Sequence, residues 1–128
     1  MFTRIGNYAL GVALLSLLFC TPAQAVKLEV GSGVFCDTQQ QMERFVALLD
    51  GDQGAAIKAV NAEEHNPTAC GTATIAYVRG PQIATARTKA GTFNIVRVLV
   101  IGVLTETGFK AAVPVAFYSA EPVDERVA

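Results

Sequence analysis

The first 25 residues constrain this chain most, because they have the pattern of an export signal and not of a folded segment. Arg4 supplies a positive charge near the start, and residues 9–20 (ALGVALLSLLFC) form an uncharged, apolar stretch. Ala23 and Ala25 then place small residues at the two positions that a signal peptidase recognises. We therefore expect residues 1–25 to be removed as a signal peptide and the mature protein to be periplasmic or secreted.

Two other interpretations of the N-terminus fit the sequence less well. An uncleaved membrane anchor needs roughly 20 apolar residues, whereas the uncharged stretch from Ile5 to Phe19 covers 15. A lipoprotein signal needs a small residue directly before its cysteine, but bulky Phe19 precedes Cys20. The sequence thus predicts no membrane span after cleavage.

The mature chain is small and close to neutral. Removal of residues 1–25 from the 128 of the full chain leaves 103, which is enough for one domain and too few for two. Arg4 is one of ten basic residues, so nine remain against eleven acidic ones, a net charge of −2. Such a balance argues against nucleic acid or an anionic membrane as a partner. We expect a single domain over 26–120 and a flexible tail over 121–128.

The two cysteines of the mature chain, Cys36 and Cys70, predict one disulfide. It would enclose about 35 residues and contribute roughly 3.5–4 kcal/mol to stability in the chain-entropy description. No Cys-x-x-Cys spacing indicates redox chemistry, and two cysteines with one histidine make a poor zinc site. The sequence predicts neither a metal nor a cofactor.

Two helices are predicted between the cysteines. Asp37 or Thr38 caps the first, and Thr38 with Gln41 has capping-box spacing. Apolar residues then recur at helical intervals at Met42, Phe45, Val46 and Leu49. Gly51 is predicted to end the helix. Asp52 caps a shorter helix over residues 55–60 that ends at Asn61. Residues 61–71 are predicted to form an irregular loop.

The remaining chain predicts β-structure. Alternating Val26, Leu28 and Val30 favour a short opening strand within Val26–Phe35. Later strands are predicted over 72–79, 82–87, 92–104 and 109–118, with turns at Gly80-Pro81, 89–91 and 105–108. Pro114 indicates an edge strand or a bulge. The uncharged run 98–104 predicts a strand that is buried on both faces or covered by another element or subunit.

Together these elements predict an α+β fold: one amphipathic helix and a short helix packed on an antiparallel sheet of about four strands, with one disulfide.

Candidate functional residues are few. His65 is the only histidine, so a hydrolase would have to use it, but a histidine in a loop is usually a solvated side chain. Three arginines in or beside successive strands, with a nearby tyrosine, would form a binding surface if they shared one face of the sheet. These residues are Tyr77, Arg79, Arg87 and Arg97.

The function that the sequence favours is a small exported binding or interaction protein without catalytic activity. Its partner would be another protein or an envelope component. The alternatives are a structural subunit that self-assembles by burying the strand 98–104 against copies of itself, and a small hydrolase that uses His65.

Overall fold

The computed structural model describes residues 27–124, so the predicted signal peptide lies outside the described residues. The elements follow one another as β1 (Leu28–Cys36), α1 (Gln39–Leu48), α2 (Gln53–Glu63), β2 (Cys70–Thr88), β3 (Gly91–Thr105) and β4 (Gly108–Pro122). Two helices packed on a four-stranded antiparallel sheet, with the disulfide between Cys36 and Cys70, confirm the predicted α+β fold.

The sheet closes on itself. Its strands are ordered β1-β2-β3-β4, every pairing is antiparallel, and the pairing of Cys36 with Tyr118 joins β1 to β4. In β3, Val98 and Val100 are 3% and 2% exposed, whereas Leu99 between them is 41% exposed. Because side chains alternate along a strand, the sheet has an inner face, which carries Val98 and Val100, and an outer face, which carries Leu99.

Each face carries its own hydrophobic core. The inner core consists of strand residues alone, centred on Ile75, Val96, Val98 and Val100. The other core lies between the outer face and the helices, and its buried members include Met42, Phe45, Val46, Val60 and Ile95. The helices therefore cover the outer face at Ile95 but leave Leu99 exposed. Within 98–104 the predicted burial is confirmed for Val98 and Val100, whereas Leu99 and Leu104 are exposed in the single chain. Their coverage by a second subunit stays a prediction.

The predicted helix starts are confirmed. The Thr38 hydroxyl accepts a hydrogen bond from the Gln41 amide at 3.2 Å, and the Gln41 side chain accepts one from the Thr38 amide at 3.1 Å. The Asp52 carboxylate accepts one from the Ala55 amide at 3.1 Å. The Thr38, Gln41 and Asp52 side chains thus satisfy amides at the helix starts that have no partner within the helix.

The predicted end of the second helix is wrong. α2 continues past Asn61 to Glu63, because the Asn61 side chain bonds to the backbone of the following loop rather than ending the helix. The first helix ends before Gly51, because Leu49 is the C-cap of α1. Gly51, with φ +78°, lies in the connection between the two helices.

The predicted turn at Gly80-Pro81 is also wrong, since β2 is one strand of 19 residues. The pairing of β2 with β3 shifts register between Arg79 and Gln82, so the Gly-Pro pair forms an irregularity within the strand. A strand of this length accommodates a proline where the ladder is interrupted.

β4 confirms the prediction for Pro114 and corrects the predicted tail. Val100 pairs with Val115 while Gly102 pairs with Ala111, so the segment that contains Pro114 bulges out of the ladder. The strand continues to Pro122, two residues into the segment predicted as a tail, and the Val123 amide donates to the Thr92 carbonyl at 2.9 Å.

Candidate functional site

The inner face of the closed sheet borders a cavity of about 190 Å³. All four strands contribute to its apolar wall, which consists of Phe35, Ala73, Ile75, Val100, Val103 and Phe117. Its remaining lining residues are Asp37, Thr68, Gly71 and Thr72, and all four are exposed. The cavity thus has an apolar floor, in which Ile75 and Val100 are buried, and an exposed rim that carries Asp37 and two threonines.

Small residues on β2 keep this space open. A Cβ atom added to Gly71 would meet no atom within 4 Å, and the next inward position is Ala73. Larger residues at these two positions would extend into the cavity. The small residues of β2 therefore contribute to this volume.

The disulfide lies next to the rim. Cys36 and Cys70 are direct partners in the pairing of β1 with β2, and Asp37 and Gly71 are the residues that follow them. The Asp37 amide also donates to the Ala69 carbonyl at 2.9 Å. Covalent and hydrogen bonds thus hold the rim in place.

Thr68, directly before Ala69 on the rim, is held by a local turn. Its amide and its hydroxyl both donate to the Asn66 side-chain oxygen at 3.0 Å, the pattern of an Asx turn. A rim fixed before ligand binding lowers the entropy that binding costs.

The chemistry of the cavity is that of a binding site with one charged group. Asp37 is the single charged residue among the described residues that line it. Its carboxylate accepts hydrogen bonds and attracts a positive charge, while the floor excludes polar groups that lack partners. A ligand that matches the apolar floor and the Asp37 carboxylate has an apolar body and an end that donates hydrogen bonds or carries a positive charge.

His65 lies away from this cavity, at the end of α2. Its side chain is exposed, its φ is +52°, and its backbone amide donates to the Ala62 carbonyl at 3.2 Å. A left-handed residue is common directly after a helix, so the position of His65 has a structural reason.

The residues of the predicted arginine surface lie in different environments. Tyr77 belongs to the inner core, and Arg79, two residues further on β2, donates to the Glu121 carboxylate on β4. Arg97 is exposed between buried Val96 and Val98, and therefore lies on the outer face.

Arg87, the fourth of these residues, is exposed near the turn that joins β2 to β3. Arg79 and Arg97 line one pocket, and Tyr77 and Arg87 are not among its lining residues. The role of the four residues in binding stays a prediction.

Charged neighbours alter the ionisation of two of these residues. The hydrogen bond between Arg79 and Glu121 raises the pKa of the arginine and lowers the pKa of the carboxylate. Burial raises the pKa of the Tyr77 hydroxyl, and the carboxylates of Glu29 and Glu121 add to this effect. The charge of Arg79 is thus paired with the Glu121 carboxylate at the partly exposed surface.

The outer face beyond the helices is a second feature that the sequence did not predict as a site. We call it the bare outer face. It carries exposed large apolar side chains from three strands: Leu28, Val30, Leu99, Leu104 and Phe109. Alternating Leu28 and Val30 were visible in the sequence, but which of the two faces the helices cover depends on strand register.

Comparison of the chain with protein-family models, with curated protein sequences and with solved structures finds no match. Among residues 27–124, no helix is long and apolar enough to cross a membrane.

Proposed function

We propose that this protein is a small exported binding protein without catalytic activity and that the cavity of the closed sheet is its ligand site. The observation that carries the proposal is the combination of an apolar floor, buried at Ile75 and Val100, with a single carboxylate, Asp37, at the rim. An apolar pocket with a few polar groups is the usual form of a small-molecule site.

The volume sets the size of the ligand. An apolar cavity of about 150 Å³ accommodates benzene in another protein, so about 190 Å³ suits one aromatic ring or a branched aliphatic group with a short polar extension. The ligand is then a small amine with an apolar body, or the corresponding end of a larger molecule.

The disulfide supports export. Cys36 and Cys70 are 0% and 2% exposed, and their bond closes the loop that contains both helices. Disulfides of this structural kind persist in oxidising compartments. The signal-like sequence of residues 1–25 agrees with the same location.

Calorimetric titration with three probes of similar shape tests the ligand class. Benzylamine, benzyl alcohol and benzoate share the ring and differ in charge. We expect benzylamine to bind most tightly, with a dissociation constant on the order of 0.1–1 mM for so few atoms, followed by the alcohol and then benzoate. Absence of binding for all three would refute the proposal.

Two variants identify the site. Gly71→Val fills the cavity without a steric clash at its Cβ and should abolish binding of all three probes. Asp37→Asn should leave benzyl alcohol binding unchanged and remove the preference for the amine. Thr85→Val, an exposed position on β2 outside the cavity, is the control and should bind like the wild type.

A further variant separates binding from the hydrolase alternative. His65→Ala should leave probe binding unchanged, because His65 does not line the cavity. If an esterase or peptidase activity were found in the purified protein and His65→Ala abolished it, the non-catalytic part of the proposal would be wrong.

A further inference from the structure

We infer that a second pocket of this protein binds a small carboxylate with an apolar body. Two arginines, Arg79 and Arg97, line it together with the apolar residues Val78, Leu99 and Ala116, and we call it the Arg97 pocket. None of these residues lines the cavity on the inner face. The inference is therefore independent of the ligand proposed for that cavity.

The Arg97 pocket is a single concave site to which three strands contribute. Val78 on β2 pairs with Leu99 on β3, and Leu99 pairs with Ala116 on β4, so the three apolar residues are direct neighbours. The volume is about 330 Å³, within the range of small-molecule pockets. It is larger than the cavity of the inner face and suits a short aliphatic chain.

The irregularity of β2 forms the wall beside Arg97. The pairing of β2 with β3 shifts register between Arg79 and Gln82, and Gly80 and Pro81, which lie within this break, line the pocket. A Cβ atom on Gly80 would lie 2.5 Å from the Arg97 carbonyl oxygen, so the two backbones are in close contact. Bulges in a strand often occur next to functional sites, where they redirect side chains. This contact fixes the backbone of Arg97 relative to the pocket.

The two arginines differ in how their charges are compensated. Arg79 donates a hydrogen bond to the Glu121 carboxylate at 2.7 Å. Arg97 is exposed, and its guanidinium has no hydrogen bond or ion pair with another residue of the described range 27–124. No acidic residue is among the described residues that line the pocket. One positive charge is thus available to a ligand.

A single available guanidinium beside apolar residues selects a monoanion with an apolar body. The parallel N–H donors of a guanidinium match the two oxygens of a carboxylate. A phosphate dianion would require a second cation, and Arg79 is already paired with Glu121. An anionic membrane would require a cluster of basic residues. The ligand class is therefore a small aliphatic carboxylate.

Calorimetric titration with octanoate and with 1-octanol tests this ligand class. The two probes share an eight-carbon chain and differ in charge. We expect octanoate to bind more tightly than octanol, with a dissociation constant on the order of 0.1–1 mM. The affinity for octanoate should fall when sodium chloride is raised from about 20 to about 500 mM, because salt screens the guanidinium, whereas the affinity for octanol should not.

Three variants identify the site. Arg97→Gln should weaken octanoate binding about fivefold, as expected for a partly exposed ion pair, and should leave octanol binding unchanged. Ala116→Phe fills the pocket and should abolish binding of both probes. Arg87→Gln is the matched control, because Arg87 is an exposed arginine outside the pocket, and it should bind like the wild type. Circular dichroism checks that each variant is folded.

Gly71→Val separates this site from the cavity of the inner face. The variant fills that cavity and leaves the Arg97 pocket unchanged, so its affinity for octanoate should equal that of the wild type. Failure of one proposal is thus distinguishable from failure of the other.

Two results would overturn the inference: no octanoate binding to the wild type, or an unchanged affinity for octanoate in Arg97→Gln. A peptide with a C-terminal leucine that binds through Arg97 more tightly than octanoate would overturn the assigned ligand class and indicate a protein C-terminus instead.

Discussion

Asn61 and Cys70 are joined by a pair of hydrogen bonds that resembles one step of a β-ladder. The Asn61 side-chain oxygen accepts from the Cys70 amide at 2.8 Å, and its side-chain nitrogen donates to the Cys70 carbonyl at 3.1 Å. The same nitrogen donates to the Pro67 carbonyl at 2.9 Å. One side chain on α2 thus sets the start of β2 beside the disulfide.

Asn61 is partly exposed, yet its substitution should destabilise the protein more than the substitution of most such residues. Asn61→Ala removes three hydrogen bonds, each worth about 1 kcal/mol, so we expect the free energy of unfolding to fall by about 2–3 kcal/mol. Urea denaturation followed by circular dichroism measures this. Asn61→Asp keeps the acceptor for the Cys70 amide but turns a carboxylate oxygen toward the Pro67 and Cys70 carbonyl oxygens, so it should cost at least as much as the alanine variant. Equal stability of the wild type and Asn61→Ala would show that the loop, and not this side chain, positions β2.

The disulfide should stabilise both the fold and the rim of the cavity. The bond closes a loop between residues 34 apart in sequence, so its removal by Cys36→Ser with Cys70→Ser should cost about 3.5–4 kcal/mol. Benzylamine binding should weaken as well, because Asp37 follows Cys36 directly. The comparison is made by urea denaturation and by calorimetry below the unfolding transition. A double variant that is as stable as the wild type would contradict the structural role.

The elements that the sequence predicted correctly have local causes. Thr38 with Gln41 and Asp52 cap helices through contacts within three residues. Cys36 and Cys70 are the only two cysteines among residues 27–124, so there is one way to pair them. The wrong predictions concern places where contacts between distant parts of the chain determine the local structure. Gly80 and Pro81 have the composition of a turn, yet β3 runs alongside them and keeps β2 extended through a register shift. Asn61 resembles a helix stop in sequence, but its partners lie in the loop that follows.

The candidate site could not be predicted for the same reason. The cavity combines Phe35, Val103 and Phe117 from three strands, and their meeting depends on which residues pair. The predicted arginine surface stays a prediction: Arg79 and Arg97 line one pocket, whereas Arg87 lies near the turn that joins β2 to β3. Composition indicates how much apolar surface a chain has, whereas register determines which face carries it.

Gly80 should be intolerant of any side chain. A Cβ atom there would lie 2.5 Å from the Arg97 carbonyl oxygen, closer than non-bonded atoms approach, and a backbone atom cannot move aside cheaply. We expect Gly80→Ala to lower the free energy of unfolding by about 1–3 kcal/mol.

The matched control for this change is Gly33→Ala in β1. The nearest atom to its added Cβ, in the Phe35 ring, lies at 3.9 Å, so this variant should match or slightly exceed the wild type in stability, since alanine restricts the unfolded chain. Thermal unfolding of both variants gives the comparison. A Gly80→Ala protein as stable as Gly33→Ala would mean that the strands separate easily at this point.

The ion pair between Arg79 and Glu121 should make a small, pH-dependent contribution to stability. The hydrogen bond from Arg79 lowers the pKa of the Glu121 carboxyl in the folded state. Stabilisation is therefore fully present above the unfolded pKa of about 4.3 and is lost as the pH falls through the lower folded pKa. Because the two side chains are 45% and 40% exposed, we expect Glu121→Gln to cost less than about 1 kcal/mol at pH 7.

Urea denaturation at pH 7 and pH 3 tests this linkage. The difference in the free energy of unfolding between wild type and Glu121→Gln should shrink at pH 3, where protonation removes the charge from the wild-type carboxyl as well. Glu106→Gln, an exposed position in the turn between β3 and β4, serves as the control and should match the wild type at both pH values. A difference for Glu121→Gln that grows at pH 3 would contradict the assigned sign, because it would place the folded pKa of Glu121 above the unfolded one.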